Sequence, residues 1–480
     1  MKAARISLLI AVLALIVAVV SVIRLEGARD GIDIEYRMFG ETPVTLYRGQ
    51  RASESLVVVS HGFAGSRQMM EAISLTLARS GHTVLSFDYI GHGRHNSALS
   101  PDIGSLTGTT EDLVRQTLDV VEQARELIDA ATISLVGHSM ATDVVVRAAA
   151  RLDGIENVVA ISMYSDAVTQ DHPARLLILS GSHEQRLREV ALDAMEQLGE
   201  RVEGTTVEQG GVERRAVSAP WVGHVGVLWS PVTSAEVSAW LSTAGTPVLS
   251  GPWIAALLAS IVALFWPLTN YLPKGSATPH APLRRAVLAS VLPVPIAFLA
   301  GLSGLPLAGL AGFGALAVCF GAWGVTALLI LRPQLSLSAA DGWAGLVLLL
   351  WGLAVFAFAM DRYAAAFLPA GPRLSLMVLL LPSMIAFGLA DRLILHNRHA
   401  LIRILLRMPF ISTLLGAMIL GQSGIGMLFT VLPVLVLFFA VYGTMGAWAA
   451  RRSGLLGTAV VSGIILAWSI AASTPIFLET

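Results

Sequence analysis

From Val248 onward the sequence repeats one pattern, an apolar run long enough to cross a bilayer as a helix followed by a short polar break. A backbone in hydrocarbon must satisfy its own amides, so every run that enters lipid is committed to helix. Eight helices are predicted, near 248–268, 286–303, 307–331, 342–360, 374–390, 408–421, 427–449 and 454–472. Pro293, Pro295, Pro306 and Pro409 make the boundaries around 286–331 and 401–426 the least defined, because proline shortens or kinks a helix. A ninth run, residues 6–23, contains no charge and follows Lys2 and Arg5. It exceeds the apolar core of a cleaved signal peptide, and Val22-Ile23-Arg24-Leu25 lacks the small residues that a signal peptidase prefers. Residues 1–24 therefore read as an uncleaved transmembrane signal anchor.

Charge divides the chain at the same place. Residues 1–243 hold 29 acidic and 20 basic side chains, a net of −9, whereas 244–480 hold 4 and 12, a net of +8. Charged residues are 14% of the whole, against about 25% in ordinary soluble proteins, which excludes a disordered chain. With the N-terminus inside, Lys2, Arg5, Lys274, Arg284, Arg285, Arg332, Arg392, Arg398, Arg403, Arg407, Arg451 and Arg452 fall on the inner side and only Arg362 and Arg373 on the outer. That asymmetry places the segment 25–247 outside the cytoplasmic membrane, taken to be a bacterial one. The expected organisation is an anchor (1–24), a polar domain (25–247) and a membrane domain of about eight helices (248–480).

The polar segment alternates short β-branched runs with longer amphipathic ones, the pattern of an α/β domain with a mainly parallel sheet. Strands are predicted at 32–38, 43–48, 55–60, 83–88, 132–136, 157–163, 175–180 and 214–218. Helices are predicted at 67–80, 109–129, 139–151, 185–199 and 233–243.

Its sharpest feature is Ile133-Ser134-Leu135-Val136-Gly137-His138-Ser139-Met140-Ala141, an apolar strand running into Gly-x-Ser-x-Ala and then a helix. On so tight a turn the serine is lifted clear of the sheet, with small residues two positions to either side letting the backbones approach. Ser139 is the candidate nucleophile, and Gly137, His138 and Ala141 form its elbow; Ala141 adds a methyl group where glycine is usual. A serine that merely caps a helix is the competing reading. Strand 55–60 runs into His61-Gly62-Phe63-Ala64-Gly65-Ser66, a loop whose Phe63 amide, with that of Met140, is a candidate oxyanion hole. Strand 175–180 leads to Gly181-Ser182-His183-Glu184, and the last strand to a glycine-flanked His224. The chain order Ser139, Glu184, His224 places the acid before the histidine. Asp166, just past strand 157–163, is a rival acid; the spacing of Glu184 from Gly181 favours Glu184.

These residues, with Phe87-Asp88-Tyr89-Ile90-Gly91-His92-Gly93, resemble the α/β-hydrolase superfamily over about residues 30–243, and most closely its small-lidded esterase, monoacylglycerol-lipase-like and serine-aminopeptidase-like branch. The resemblance implies Ser139 as nucleophile, His224 as general base and acid, Glu184 as orienting acid, and Phe63 and Met140 as oxyanion donors. It implies nothing for the helices beyond 250. No cofactor is expected. The histidines lack metal-ligand spacing, the 62–65 glycines are not followed by Lys-Ser or Lys-Thr, and the acidic charge of the polar half argues against nucleic acid. Only a few residues separate Ser165 from Arg175, where larger relatives insert a lid, so an open site is expected.

The expected function is a membrane-embedded serine hydrolase that cleaves an ester, thioester or amide through an acyl-enzyme. Its substrate would be a small-molecule or lipid-like acyl compound, and its surroundings membrane lipids. A non-catalytic binding module and an acyltransferase with the same residues are the alternatives. In the membrane half, small residues four apart (Ala308 and Gly312, Ala317 and Gly321, Gly443 and Ala447) predict close helix packing. That half reads either as a compact anchor bundle or as a cavity that binds a lipid or delivers it to Ser139. Cys319, the single cysteine, lies in an apolar run and reads as a packing residue.

Overall fold

A computed structural model describes residues 2–50, 54–102, 105–241, 246–275, 281–334, 337–421 and 424–479. The Lys2 side chain and the 242–243 end of the helix expected at 233–243 lie outside the described residues. The chain divides into two compact units, one made of Val20–Ala256 with Arg362–Ala366, the other of Met1–Val19, Leu257–Asp361 and Phe367–Thr480.

In the first unit, the β-branched runs form nine strands: β1 (Ile32–Phe39), β2 (Thr42–Gly49), β3 (Ser55–Ser60), β4 (Thr83–Phe87), β5 (Thr132–His138), β6 (Ile155–Ile161), β7 (Arg175–Gly181), β8 (Thr206–Gln209) and β9 (Val212–Ala219). They build one sheet in the order β1-β2-β4-β3-β5-β6-β7-β9-β8. Pairing is parallel from β4 through β3, β5, β6 and β7 to β9 and antiparallel at both edges. The central strands β3, β4, β6 and β7 are almost wholly buried, as continuous apolar runs covered on both faces should be. Helices α2 (Glu71–Arg79), α3 (Glu111–Leu127), α4 (Met140–Ala149), α5 (Gln185–Glu196) and α6 (Pro231–Trp240) provide that cover, α1 (Lys2–Gly27) being the long N-terminal helix. Strand β8 is absent from the sequence-based expectation. Its four residues are mostly exposed and reach β9 through Gly210-Gly211, both at positive φ (61° and 84°), the backbone of a tight hairpin.

Residues 362–366 join this unit across more than a hundred residues of sequence. Arg362 and Tyr363 both donate to Glu26 (2.9 and 2.6 Å), and Arg29 donates to the Arg362 carbonyl (3.0 Å) and to Glu71 (2.6 and 2.9 Å). The Ala366 amide donates to Ser66 Oγ (2.9 Å).

The second unit is helical: α7 (Gly251–Leu268), α8 (Leu283–Val291), α9 (Val294–Gly301), α10 (Phe313–Leu331), α11 (Ala339–Leu350), α12 (Phe358–Tyr363), α13 (Pro372–Leu395), α14 (Ala400–Leu420), α15 (Val431–Ser453) and α16 (Leu456–Ser473). Among the described residues, nine helical stretches, the N-terminal one included, are long and apolar enough to cross a membrane. The expected helix 307–331 starts only at Phe313, because Ala308, Gly309 and Gly312 all take positive φ and form a turn. Ala308 and Gly312 are therefore not a helical packing pair. The expected helix 286–303 is broken at Leu292-Pro293, and that expected at 408–421 begins at Ala400 and absorbs Pro409.

Successive breaks gather at alternate ends of this unit. At one end Arg452 and Ser453 donate to the carbonyls of Leu272 and Pro273 (3.1 and 2.6 Å), Arg398 to that of Ala281 (2.6 Å) and Arg285 to that of Ile330 (2.9 Å). At the other, Arg373 donates to the carbonyls of Ala471 and Thr474 (2.9 and 2.6 Å), and the Ala311 amide to that of Phe477 (2.9 Å).

Candidate active site

The carboxyl ends of β3, β5, β6, β7 and β9 point the same way, and the loops that leave them bring distant residues to one edge, where open α/β sheets bind ligands. Strand β5 ends at His138, and α4 starts at Met140, so Ser139 alone makes the turn, at φ 54° and ψ −119°. A side chain rarely adopts this conformation. It is held by the Ser139 amide donating to the Ile161 carbonyl of β6 (2.8 Å). Only glycine fits at 137, where a Cβ would come within 2.6 Å of the Ala141 carbonyl oxygen. The loop after β3 is just as close, since a Cβ on Gly62 would lie 2.9 Å from both Ser139 Cβ and His138 Nδ1. Gly62, which precedes Phe63, thus lies against Ser139, which Met140 follows in sequence.

His224 Nε2 lies 2.8 Å from Ser139 Oγ, and His224 Nδ1 lies 2.6 Å from Glu184 Oε1. A carboxylate only accepts, so Nδ1 carries the proton and Nε2 presents its lone pair to the serine hydroxyl. The second oxygen of Glu184 accepts from the Gly181 amide (2.5 Å) and from Ser162 Oγ (2.8 Å). Burial works against the ionised carboxyl, but the hydrogen bonds from His224, Gly181 and Ser162 prevail and hold it below the ordinary carboxylate range. The Glu184 side chain is 5% exposed and that of His224 46%, so the acid is sealed while the imidazole faces solvent. A hydroxyl facing an imidazole that is backed by a carboxylate is the arrangement that turns an alcohol into a nucleophile.

Asp166 is elsewhere. Its side chain is 83% exposed and pairs with Arg147, which also holds Asp143. The two neighbouring histidines shape the site. His138 Nε2 donates to the His224 carbonyl (2.9 Å), and burial pushes its imidazole down to about 4, which keeps it neutral. His61 donates from Nδ1 to the Gly62 carbonyl (2.8 Å) and accepts from the Tyr89 amide at Nε2 (3.1 Å), with burial again lowering its pKa. The loop of Gly62–Ser66 is thereby tied to the turn after β4. Asp88 in that turn accepts from the Arg67 amide (2.8 Å) and the Arg94 amide (3.0 Å) and pairs with the Arg67 guanidinium, both side chains being buried.

Sequence reasoning missed Ser162, Thr142 and Arg67. Thr142 Oγ1 donates to the Ser139 carbonyl (2.6 Å) and accepts from the Tyr164 amide (2.9 Å), bracing the elbow against the end of β6. A polar residue directly after a buried strand was the available signal for Ser162. Arg67, directly after the Gly62–Ser66 loop, carries no comparable mark.

Residues 55–220 match the family model described as the alpha/beta hydrolase fold. No curated protein matches the sequence. Similar solved structures include a CIB-like hydrolase from Thermoplasma acidophilum (16% identity, covering 41% of this chain and 90% of that one, TM-score 0.33). Est1E from Butyrivibrio proteoclasticus, solved with ferulic acid bound, is 17% identical and covers 43% of this chain and 98% of its own (TM-score 0.33). A hormone-sensitive lipase from a metagenome library is 16% identical and covers 44% and 86% (TM-score 0.33). By its family match and by a mainly parallel sheet flanked with helices, the 55–220 stretch belongs to the α/β-hydrolase superfamily, which supports a hydrolase.

Proposed function

We propose that the protein is a serine hydrolase embedded in a membrane, cleaving a carboxylic ester, thioester or amide of a small or lipid-like acyl compound. The observation that carries this reading is the pair of contacts from His224, 2.8 Å to Ser139 Oγ and 2.6 Å to Glu184 Oε1. In the proposed cycle Ser139 Oγ attacks the acyl carbonyl carbon as its proton passes to His224 Nε2. The amides of Phe63 and Met140 receive the negative charge on the former carbonyl oxygen. The leaving group departs with the proton from His224, and water, deprotonated by the same imidazole, then releases the acid and restores Ser139. Glu184 stays ionised and stabilises the imidazolium.

The membrane reading is supported by exposed apolar surface. Along α1, Leu8, Leu9, Leu13, Leu15 and Ile16 are all more than half exposed, and so much apolar area in water would drive aggregation. In this reading the hydrolase domain, 25–247, is extracytoplasmic, between an anchor at 1–24 and the helical domain of 248–480.

A fluorophosphonate probe is expected to label the protein in membranes, and Ser139→Ala to abolish both labelling and turnover. Labelling that survives in this variant would move the nucleophile elsewhere. Protease added to spheroplasts is expected to cut within 25–247, and protection of that segment would reverse the orientation.

A further inference from the structure

In the helical unit, at the end where Arg398 reaches Ala281, several arginines converge on one cleft. Arg392 from the last turn of α13, Arg398 from the following break, Arg403 from the start of α14 and Arg451 near the end of α15 line it together with His396 and Asn397. The cleft is open to solvent, with only about 20 Å³ of cavity volume, and none of its lining residues is acidic.

Arg392 is 5% exposed, and its bonds run to uncharged oxygens: the carbonyls of Gly443 (2.8 Å) and Tyr442 (2.8 Å) and Ser462 Oγ (3.0 and 3.2 Å). The adjacent carboxylate, Asp391, has both oxygens engaged by Arg407 (2.9 and 2.7 Å). Arg403 donates to the Gly443 carbonyl (3.1 Å), and Arg398 to the carbonyls of Ile394 and Ala281 (2.7 and 2.6 Å). Carbonyl dipoles thus aim three guanidiniums without neutralising them. The fold also makes room for this, because a Cβ on Gly446 would lie 2.1 Å from Arg392 Nη2. A buried charge among like charges is unfavourable unless an anion joins it. Phosphate is matched by the planar fork of arginine, and basic pockets between membrane helices take lipid headgroups. The remaining wall, Leu395, Ala447, Ala450 and Leu455, is apolar.

We propose that this cleft binds a phosphate-bearing anion, either the headgroup of an acidic phospholipid or a free phosphate. Only the lipid source rests on the reading of these helices as membrane-spanning, and neither source involves Ser139.

The test uses the full chain, delipidated in detergent, as wild type and as the double variant Arg403→Gln, Arg451→Gln, which leaves Arg392 and its carbonyl partners in place. Native mass spectrometry counts bound phosphatidylglycerol against phosphatidylcholine, and a thermal shift reads inorganic phosphate. The wild type is expected to prefer phosphatidylglycerol, or to be stabilised by phosphate, with binding about thirtyfold weaker in the double variant on electrostatic grounds. Retention of phosphatidylglycerol against millimolar phosphate identifies the lipid source; displacement, with a thermal shift from phosphate alone, identifies the free anion. Equal binding of both lipids with no phosphate response in the wild type overturns the proposal. So does a double variant that is monodisperse on gel filtration and binds as the wild type does. Fluorophosphonate labelling of the wild type is scored separately, so its failure would withdraw the hydrolase reading without altering the lipid counts.

Discussion

At the Ser139 site and the Arg392 cleft buried charge is handled differently, although each unit also holds the other arrangement: Arg214 of the hydrolase unit donates to the Ala194 and Thr169 carbonyls, and Asp391 of the helical unit pairs with Arg407. In the hydrolase unit Arg67 lies against Asp88 and Arg29 against Glu71, while the Glu184 carboxylate accepts from the His224 imidazole, the Gly181 amide and Ser162 Oγ. In the helical unit the deeply buried Arg392 and Arg373 donate to main-chain carbonyls. A sheet edge collects side chains from many loops, so a carboxylate can be brought to almost any cation. Helices offer carbonyls as acceptors instead, at the end of α16 for Arg373, where they lack intrahelical partners, and within α15 for Arg392. Paired charges fix geometry, as the proposed chemistry at Ser139 would require, whereas carbonyl-bound cations keep net charge that a ligand can use.

The strongest challenge to this contrast is at Glu184. Glu184→Gln keeps the shape but removes the charge and offers the wrong hydrogen-bonding partner to His224 Nδ1, so turnover of an activated ester should fall about ten thousandfold, while Asp166→Asn changes it less than about twofold. Comparable losses in the two variants would move the acid. The next effect is on stability. Asp88→Ala strands the buried Arg67 guanidinium and should lower unfolding free energy by about 3–5 kcal/mol, read by denaturant titration of tryptophan fluorescence.

A third effect depends on pH. His138 titrates at about 4 in the folded protein against an ordinary 6.5, so between those values the unfolded chain binds the proton and the folded chain does not. The stability that this neutral imidazole contributes is present in full above about pH 6.5 and is lost as pH falls towards 4, by about 3 kcal/mol. His138→Gln should flatten that part of a thermal midpoint profile, and an unchanged slope would contradict the assignment. The smallest effect is expected in the helical unit. Arg373→Met removes the donor to the Ala471 and Thr474 carbonyls, costing about 1–3 kcal/mol. A loss larger than that of Asp88→Ala would erase the distinction between the two arrangements.

Much of this was legible beforehand, for physical reasons that can be named. Central strands such as Val57–Val59 are apolar throughout because both faces are covered, and the glycine at 137 marks a turn that admits no Cβ. The positions of Ser139, Glu184 and His224 follow from loops at the ends of such strands. Harder to see were features that depend on partners far away in sequence. Ser162 and Arg67 matter only through Glu184 and Asp88; Ser162 is marked only as a polar residue directly after a buried strand, and nothing near Arg67 announces its role. Strand β8 was missed because its exposed, polar residues lack alternation, and the turn around Ala308–Gly312 because its apolar composition mimics helix.

The segment 362–366 carries a practical consequence. With Arg362 and Tyr363 donating to Glu26, and the Ala366 amide donating to Ser66 at the end of the Gly62 loop, the unit that carries Ser139 is not contiguous in sequence. An excised fragment ending near 250 would lack these partners of Glu26 and Ser66, which the intact chain supplies from far downstream. A faithful miniature would need those five residues stitched back on through a linker.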